Sequence, residues 1–333
     1  QPEDVDLYIK WARSLKTTAA RRLEDCYAVP SSADLKVAME GELGRSYQIE
    51  ASDLASGESV VVKCVPRSSC STRELAMLEN ESRILMMVNH PGIVDTYDIF
   101  DSPRELYIVS RHMPGGPLST RLRENSGRFP EDKALEIFRV LVCAVASLHR
   151  QCIVHRGIRT DSILCASSEW PLHPKLSEFS RSVRLDADQN EVTTEASALP
   201  DGVWAYMAPE VVERKRYGQP VDMWALGVVL YELLSGSLPF EGATVIETMK
   251  QITTRALEFG PRFHGISANC REVILRLLHK DPSKRMDAEQ ALKHRWINPR
   301  GAEDKWLVDG MEGLSLGLGL VEKILKFSRN GKP

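Results

Sequence analysis

Within residues 36–298, the spacing of the apolar residues changes at the Pro-Gly-Gly-Pro segment of residues 114–117. Before that segment, β-branched and apolar runs predict strands over Ser59–Cys64 and Leu106–Val109, with one helix over Leu75–Val88. After it, apolar residues recur at three- and four-residue spacing and predict the helices Glu131–Leu148, Met223–Leu234, Ile246–Thr254, Arg271–Leu278 and Ala288–His294. A strand-rich part followed by a helix-rich part predicts an α+β protein with two lobes.

The composition excludes several classes of protein. With 43% hydrophobic and 27% charged residues, the chain is globular. The net charge of −3 provides no basic field to hold nucleic acid, so we expect no nucleic-acid partner. No apolar run of about 18 residues predicts a transmembrane span. The compartment stays open: the cytoplasm is favoured, and the missing initial Met leaves a removed signal peptide as the alternative.

A series of short motifs stands in order between residues 36 and 298. They are VVVK at 60–63, NESRIL at 80–85, VSRHMPGG at 109–116, HRG at 155–157, EFS at 178–180, APE at 208–210, DMWALG at 222–227 and DPSKR at 281–285. In this order and spacing they resemble eukaryotic protein kinases. The segment AEQALKHRWI at 288–297 is similar to the end of calmodulin-dependent-type Ser/Thr kinase domains. The resemblance implies a bilobal fold, with a small antiparallel-sheet lobe carrying one key helix and a larger helical lobe.

The resemblance also implies the domain boundaries. We expect the N-lobe over residues 36–113 and the C-lobe over residues 114–298, preceded by a helical extension over residues 1–35. The tail over residues 299–333 carries an apolar series that predicts a helix, docked either on this domain or on a partner. Because neither extension belongs to the shared fold, we expect partner contacts there.

Several residues that maintain the shape of a kinase are retained. Lys63 is at the position that neutralises ATP phosphates, and Glu81 is at the position that pairs with it; nucleotide binding and a structural ion pair both stay open for them. The remaining residues with implied structural roles are the stacked Leu85, His155 and Phe179, the anchor Asp222, the buried pair Glu210 and Arg285, and Arg156, which in the family can bind a phosphate on the 180–203 activation segment.

The residues that handle the phosphate are changed. Gly157 replaces the catalytic aspartate, and a glycine has no side chain to accept a proton or orient a hydroxyl. Ser162 replaces the magnesium-binding asparagine, and Arg159 replaces a lysine. Glu178 replaces the magnesium-binding aspartate and is one methylene longer, so either weak metal ligation or an ion pair with Lys63 is expected of it.

The nucleotide pocket is expected to be altered as well. Val61 replaces a small alanine and would crowd the adenine. Ser110, at the gatekeeper position, is small and would leave room behind it. Only Gly41 and Gly44 remain of the glycine-rich loop, where a simple hairpin turn is the preferred interpretation.

We therefore predict a pseudokinase, with no catalytic residue expected at Gly157, Arg159 or Ser162. No cofactor is required; binding of ATP stays open, and the changed ligand positions argue against Mg²⁺. The expected partners are other proteins, such as an active kinase or a kinase substrate. The alternatives are a weakly active Ser/Thr kinase that uses Glu178 and Asp161 in substitute roles, and a module that binds ATP without transferring phosphate.

Overall fold

The computed structural model describes residues 22–29, 46–185, 191–193 and 204–299. By their contacts the residues fall into two compact units. Unit 1 comprises residues 1–75 and 96–112, and unit 2 comprises residues 76–95 and 113–333. The helix predicted in the N-terminal extension, the remaining glycines Gly41 and Gly44, most of the activation segment and the tail beyond Pro299 lie outside the described residues.

Unit 1 is built on an antiparallel sheet in the order β1-β2-β3-β5-β4. Its strands are β1 Tyr27–Ala28, β2 Tyr47–Asp53, β3 Ser59–Pro66, β4 Thr96–Asp101 and β5 Glu105–Arg111. The strands predicted at 59–64 and 106–109 are confirmed as parts of β3 and β5. Side chains alternate along β3: Val60, Val62 and Cys64 are at most 1% exposed, whereas Val61 and Lys63 are only partly buried. The buried face forms the core of unit 1.

The α-helices of the described chain have the bounds α1 Thr72–Met87, α2 Leu118–Glu124, α3 Glu131–Arg150, α4 Pro209–Val212, α5 Pro220–Ser235, α6 Val245–Thr254, α7 Ala268–Leu277 and α8 Ala288–Lys293. The six helices predicted between residues 75 and 294 are all present, with ends that move by up to three residues. The α+β class is confirmed: unit 1 holds the antiparallel sheet and unit 2 is mostly helical.

Helix α5 lies at the centre of the core of unit 2. Almost every side chain of this helix is buried, because apolar residues occupy all of its faces. Trp224 stacks on Phe240 with ring centroids 5.7 Å apart. A Cβ at Gly227 would lie 2.9 Å from the Leu277 Cβ, so glycine is needed for this close approach of α5 to α7. No helix among the residues described is long and apolar enough to span a membrane.

Short strands in unit 2 hold the loops that carry the motif residues. A three-stranded sheet pairs β6 Gly116–Pro117, β8 Ile163–Cys165 and β9 Pro174–Leu176. Two further pairs join β7 Ile153–Val154 to β10 Val183–Arg184, and β11 Val192–Thr193 to β12 Arg216–Tyr217. Residues 155–162 therefore connect β7 to β8, and residues 177–182 connect β9 to β10.

His90 is expected to make unit 2 sensitive to acid. The side chain is 6% exposed, and its Nδ1 accepts a hydrogen bond from the Gly92 N–H at 2.9 Å. Burial, aided by the charges of Lys175 and Arg150, lowers the pKa of His90 from 6.5 to about 4. Between these pH values the unfolded chain binds a proton that the folded chain does not. The free energy of unfolding should therefore fall as the pH decreases from 6.5 to 4, by about 3 kcal/mol from this residue.

Urea unfolding at pH 7 and pH 4.5 checks this expectation. His90→Asn is the matched control, because an Asn oxygen can still accept the Gly92 N–H but does not titrate. The wild type should lose about 2–3 kcal/mol more than the variant between the two pH values. Equal losses would show that His90 is not the titrating group.

Candidate functional site

The loop of residues 155–162 is fixed to helix α5 by one buried carboxylate. Asp222, 1% exposed, accepts hydrogen bonds from the His155 and Arg156 N–H groups, both at 2.8 Å. The His149 Nε2 lies 3.0 Å from the same carboxylate. Burial alone would raise the pKa of Asp222, but the hydrogen bond and charge of His149 hold it below its usual value. The loop therefore has a rigid, charged anchor in the core of unit 2.

His155 links this loop to the loop of residues 177–182. Its ring is fully buried, and its centroid lies 4.7 Å from that of Phe179 in an edge-on contact. Nδ1 accepts the Gly157 N–H at 3.2 Å, which assigns the proton to Nε2, and Nε2 then donates to the Ser177 carbonyl at 2.9 Å. Burial lowers the pKa of His155, in keeping with this neutral ring. Leu85 of α1 packs against the same core.

The backbone conformation at position 157 does not require a glycine. Its φ lies outside the left-handed region that favours glycine. A Cβ at this position would lie 3.6 Å from both the Glu178 carbonyl oxygen and the His155 Nδ1, which is ordinary van der Waals contact. A Cβ therefore fits at position 157.

The Ser162 hydroxyl is engaged inside its own loop. Its side chain has no exposed surface, and its Oγ lies 2.8 Å from the Gly157 carbonyl oxygen and 3.0 Å from that of Arg159. The same oxygen accepts the Arg159 N–H at 3.0 Å. A hydroxyl has one proton and two lone pairs, so these contacts use most of its capacity. Ser162 therefore holds the shape of the loop.

Glu178 precedes the turn of Phe179–Arg181 in a left-handed conformation, with φ 61° and ψ 67°. This conformation is uncommon for a residue with a side chain and has a cost in free energy. The side chain is half-buried, and it supplies the only carboxylate at the two positions where the resemblance implies magnesium ligands. Among the described residues, no three His, Cys, Asp or Glu side chains cluster to hold a metal. The Ser162 hydroxyl is bonded inside its loop, so Glu178 alone is left at these two positions to ligate Mg²⁺, and its ligation of the ion stays a prediction.

The other charged residues of these loops have protein partners. Asp161 is exposed and accepts a hydrogen bond from the Ser119 hydroxyl at 2.5 Å. The Arg156 guanidinium donates to the Arg181 carbonyl at 2.5 Å and to the Tyr217 hydroxyl at 3.0 Å. The Arg159 backbone N–H is the donor to Ser162 described above. None of these contacts brings a carboxylate to position 157.

In unit 1, the sheet register places two of the predicted pocket residues side by side. Val61 of β3 lies directly opposite Ser110 of β5, and Lys63 lies opposite Ile108. Val61 and Lys63 share one face of β3, because side chains two residues apart point the same way. The pairing of Lys63 with Glu81 would join the two units and stays a prediction, as does a pairing of Lys63 with Glu178.

Arg285 and Glu210 form a buried ion pair in unit 2. Arg285 donates to the two carboxylate oxygens of Glu210 at 2.7 and 2.9 Å. It also donates to the carbonyls of Pro220 at 2.9 Å and His279 at 3.0 Å. The two charged residues are at most 5% exposed. The guanidinium thus satisfies the carboxylate and fixes three chain segments together.

Sequence reasoning did not single out His149 or Ser177. His149 contacts the anchor Asp222. The Ser177 carbonyl accepts the hydrogen bond from His155, and the Ser177 hydroxyl donates to the Ser162 carbonyl at 2.8 Å. They join segments far apart in the chain, so no local pattern marks them.

Comparisons with known proteins identify the family of this chain. The profile of the protein kinase domain matches residues 39–297. The chain belongs to the protein kinase family. Calcium/calmodulin-dependent protein kinase type 1B of Rattus norvegicus is 35% identical over 256 residues, which cover 77% of this chain and 72% of that kinase. The human protein of the same name has the same identity and coverage. Calcium/calmodulin-dependent protein kinase cmkB of Emericella nidulans is 34% identical over 248 residues, or 73% of this chain and 60% of that kinase.

These matches confirm the resemblance to calmodulin-dependent-type protein kinases and the bilobal kinase fold. The sheet of unit 1 and helix α1 correspond to the small lobe of that fold, and helices α2 to α8 correspond to the large lobe. Family membership alone leaves the activity of this chain open, because function depends on the residues of the site.

Proposed function

We propose that this kinase-family protein is a pseudokinase, which transfers no phosphate and acts by binding other proteins. The observation that carries the proposal is Gly157. The loop around it is held in place by Asp222 and His155, and position 157 has room for a Cβ. The loop therefore keeps its form and lacks the group that would orient the attacking hydroxyl.

The expected consequence for chemistry is large. Phosphoryl transfer depends on positioning and on charge stabilisation, and a positioned acid–base group contributes roughly 10²–10⁴-fold. Ser162 also supports the proposal. It stands where the resemblance implies a magnesium ligand, but its buried hydroxyl is bonded within the loop. Only Glu178 is left at the two changed positions to ligate Mg²⁺, which argues against a catalytic role for the ion in this protein.

The retained structure supports a binding role. The bidentate Glu210–Arg285 pair and the Asp222 anchor stabilise the fold of unit 2. The folded unit then presents a stable surface. Such a surface can hold another protein without turnover, and an active kinase or a kinase substrate is the partner class we propose.

A phosphotransfer assay with radiolabelled ATP tests the proposal. The wild type and Lys63→Ala, purified identically, should give equal incorporation into a peptide mixture. Calcium/calmodulin-dependent protein kinase type 1B serves as the positive control. Incorporation by the wild type that exceeds that of Lys63→Ala would overturn the proposal.

A second candidate function, a weakly active Ser/Thr kinase, is favoured by the half-buried carboxylate of Glu178 and the exposed carboxylate of Asp161. If this candidate is correct, the wild-type signal is lost in Glu178→Gln and reduced in Asp161→Asn. If the pseudokinase proposal is correct, neither substitution changes the background.

A thermal-shift experiment addresses nucleotide binding. We expect Mg²⁺ to leave any ATP-induced change in Tm unaltered in this protein, because only Glu178 is left at the two changed positions to ligate the ion. The active relative should show a larger shift with Mg²⁺ than without it. A Mg²⁺-dependent shift that is lost in Glu178→Gln would contradict the expectation.

A further inference from the structure

Residues 22–29 pack onto unit 1 although they lie upstream of the family match, which begins at residue 39. We call this segment the N-terminal clasp. It consists of a short turn over Leu23–Asp25, stabilised by the Arg22 N–H bonded to the Asp25 carboxylate at 2.9 Å, followed by β1. Leu23 and Tyr27 are 5% and 2% exposed, so the clasp contributes two side chains to the core of the unit.

The backbone of the clasp covers the open edge of β2. Tyr27 pairs with Asp53 and Ala28 pairs with Ser52. The Leu54 N–H donates to the Cys26 carbonyl at 2.9 Å, which extends the pairing by one bond. An uncovered edge would leave these groups available to another chain.

The side chain of Tyr27 reaches the opposite end of the sheet order. β1 is the first strand and β4 is the last, yet the Tyr27 hydroxyl donates to the Asp98 carboxylate of β4 at 2.6 Å. The Tyr27 ring also meets Phe100 of β4 edge-on, with centroids 6.1 Å apart. One residue of the first strand therefore holds the last strand, which requires the sheet to be curled.

An apolar row lies in the core beside this contact. The register aligns Tyr47 of β2, Cys64 of β3, Tyr107 of β5 and Phe100 of β4 across the sheet. These residues pack in the same cluster as Leu23 and Tyr27. Without the clasp, part of this row would face solvent.

We propose that the N-terminal clasp closes the curled sheet and that the Tyr27–Asp98 hydrogen bond is its latch. The folded small lobe then includes residues 22–29, an element outside the family match. The clasp is held by a two-residue strand, two buried side chains and one side-chain hydrogen bond, so we expect it to open locally before the rest of the chain unfolds. Opening would expose the apolar row and the β2 edge together, which makes the clasp a conformational switch of unit 1.

Two N-terminal truncations of the otherwise complete chain test the role of the clasp. One begins at residue 22 and keeps the clasp; the other begins at residue 30 and removes it. Amide hydrogen exchange should be unchanged in the first and at least about tenfold faster over β2 and β4 in the second, with exchange in α5 unaltered. Equal exchange in the two truncations would overturn the proposal.

Single substitutions test the latch without removing apolar surface, in case the shorter chain fails to fold. Tyr27→Phe and Asp98→Ala should each speed exchange over β4 to a similar extent. The double variant should add little to either single variant, because both remove the same hydrogen bond. Unchanged exchange in Tyr27→Phe, or fully additive effects in the double variant, would contradict the latch.

Discussion

The triple variant Gly157→Asp/Ser162→Asn/Glu178→Asp is expected to transfer phosphate from ATP to a peptide about 10²–10⁴ times faster than the wild type. The variant restores an acceptor for the attacking hydroxyl and the amide and carboxylate ligands that the family uses for Mg²⁺. The three substitutions leave in place the Asp222 anchor, which holds the His155 and Arg156 N–H groups next to the new aspartate. Initial rates with radiolabelled ATP measure the gain.

Two controls define this experiment. Gly157→Asp alone should change Tm by no more than about 2 °C, because a Cβ at this position meets only atoms at van der Waals distance. Adding Lys63→Ala to the triple variant should return the rate to background. A folded triple variant with no gain would show that the missing side chains are not what prevents transfer.

Arg285→Ala is expected to destabilise the protein by about 3–5 kcal/mol. The substitution removes both hydrogen bonds to Glu210 and leaves that carboxylate buried, 4% exposed and without its counter-charge. It also removes the bonds to the Pro220 and His279 carbonyls. Urea unfolding at pH 7 measures the change in the free energy of unfolding.

Arg255→Ala is the matched control for the ion pair. Arg255 contacts Glu258 at 2.9 Å, but both side chains are about half exposed or more, at 48% and 70%. Loss of this surface pair should cost less than about 1 kcal/mol. Arg285→Lys should be intermediate, because lysine keeps the charge but not the bidentate geometry. Similar stability of Arg285→Ala and Arg255→Ala would contradict the importance of the buried pair.

Six of the eight described helices are predicted from a regular apolar pattern, whereas the short helices α2 and α4 are not. The predicted helix 131–148 is α3 over Glu131–Arg150, and the predicted helix 223–234 is α5 over Pro220–Ser235. In α5 the apolar residues continue on every face, so the sequence also indicates a buried helix. The kinase fold follows from the motifs and their order, which the family match confirms.

The roles of side chains within the site depend on contacts that sequence does not encode locally. The path of the chain between β7 and β10 determines two of these features. Ser162 bonds its own loop, and Glu178 adopts a left-handed conformation. The room for a Cβ at position 157 likewise depends on His155 and on the carbonyl of Glu178. The replacements were visible in the sequence, whereas the space and hydrogen bonds around them were not.

The N-terminal clasp shows a different limit. β1 has two residues, too few for any periodicity, and its neighbour in the sheet begins at Tyr47. Tyr27 and Asp98 lie 71 positions apart, so their hydrogen bond has no local signal. Tertiary packing alone determines this element.

The rate of phosphate transfer by the purified wild type, measured beside Lys63→Ala over a long incubation with radiolabelled ATP, tests the role of Gly157 most directly. We predict identical incorporation for the two proteins, at the background of the assay. Reproducible incorporation by the wild type alone, surviving repeated purification and lost in Glu178→Gln, would establish an active kinase and contradict the pseudokinase proposal.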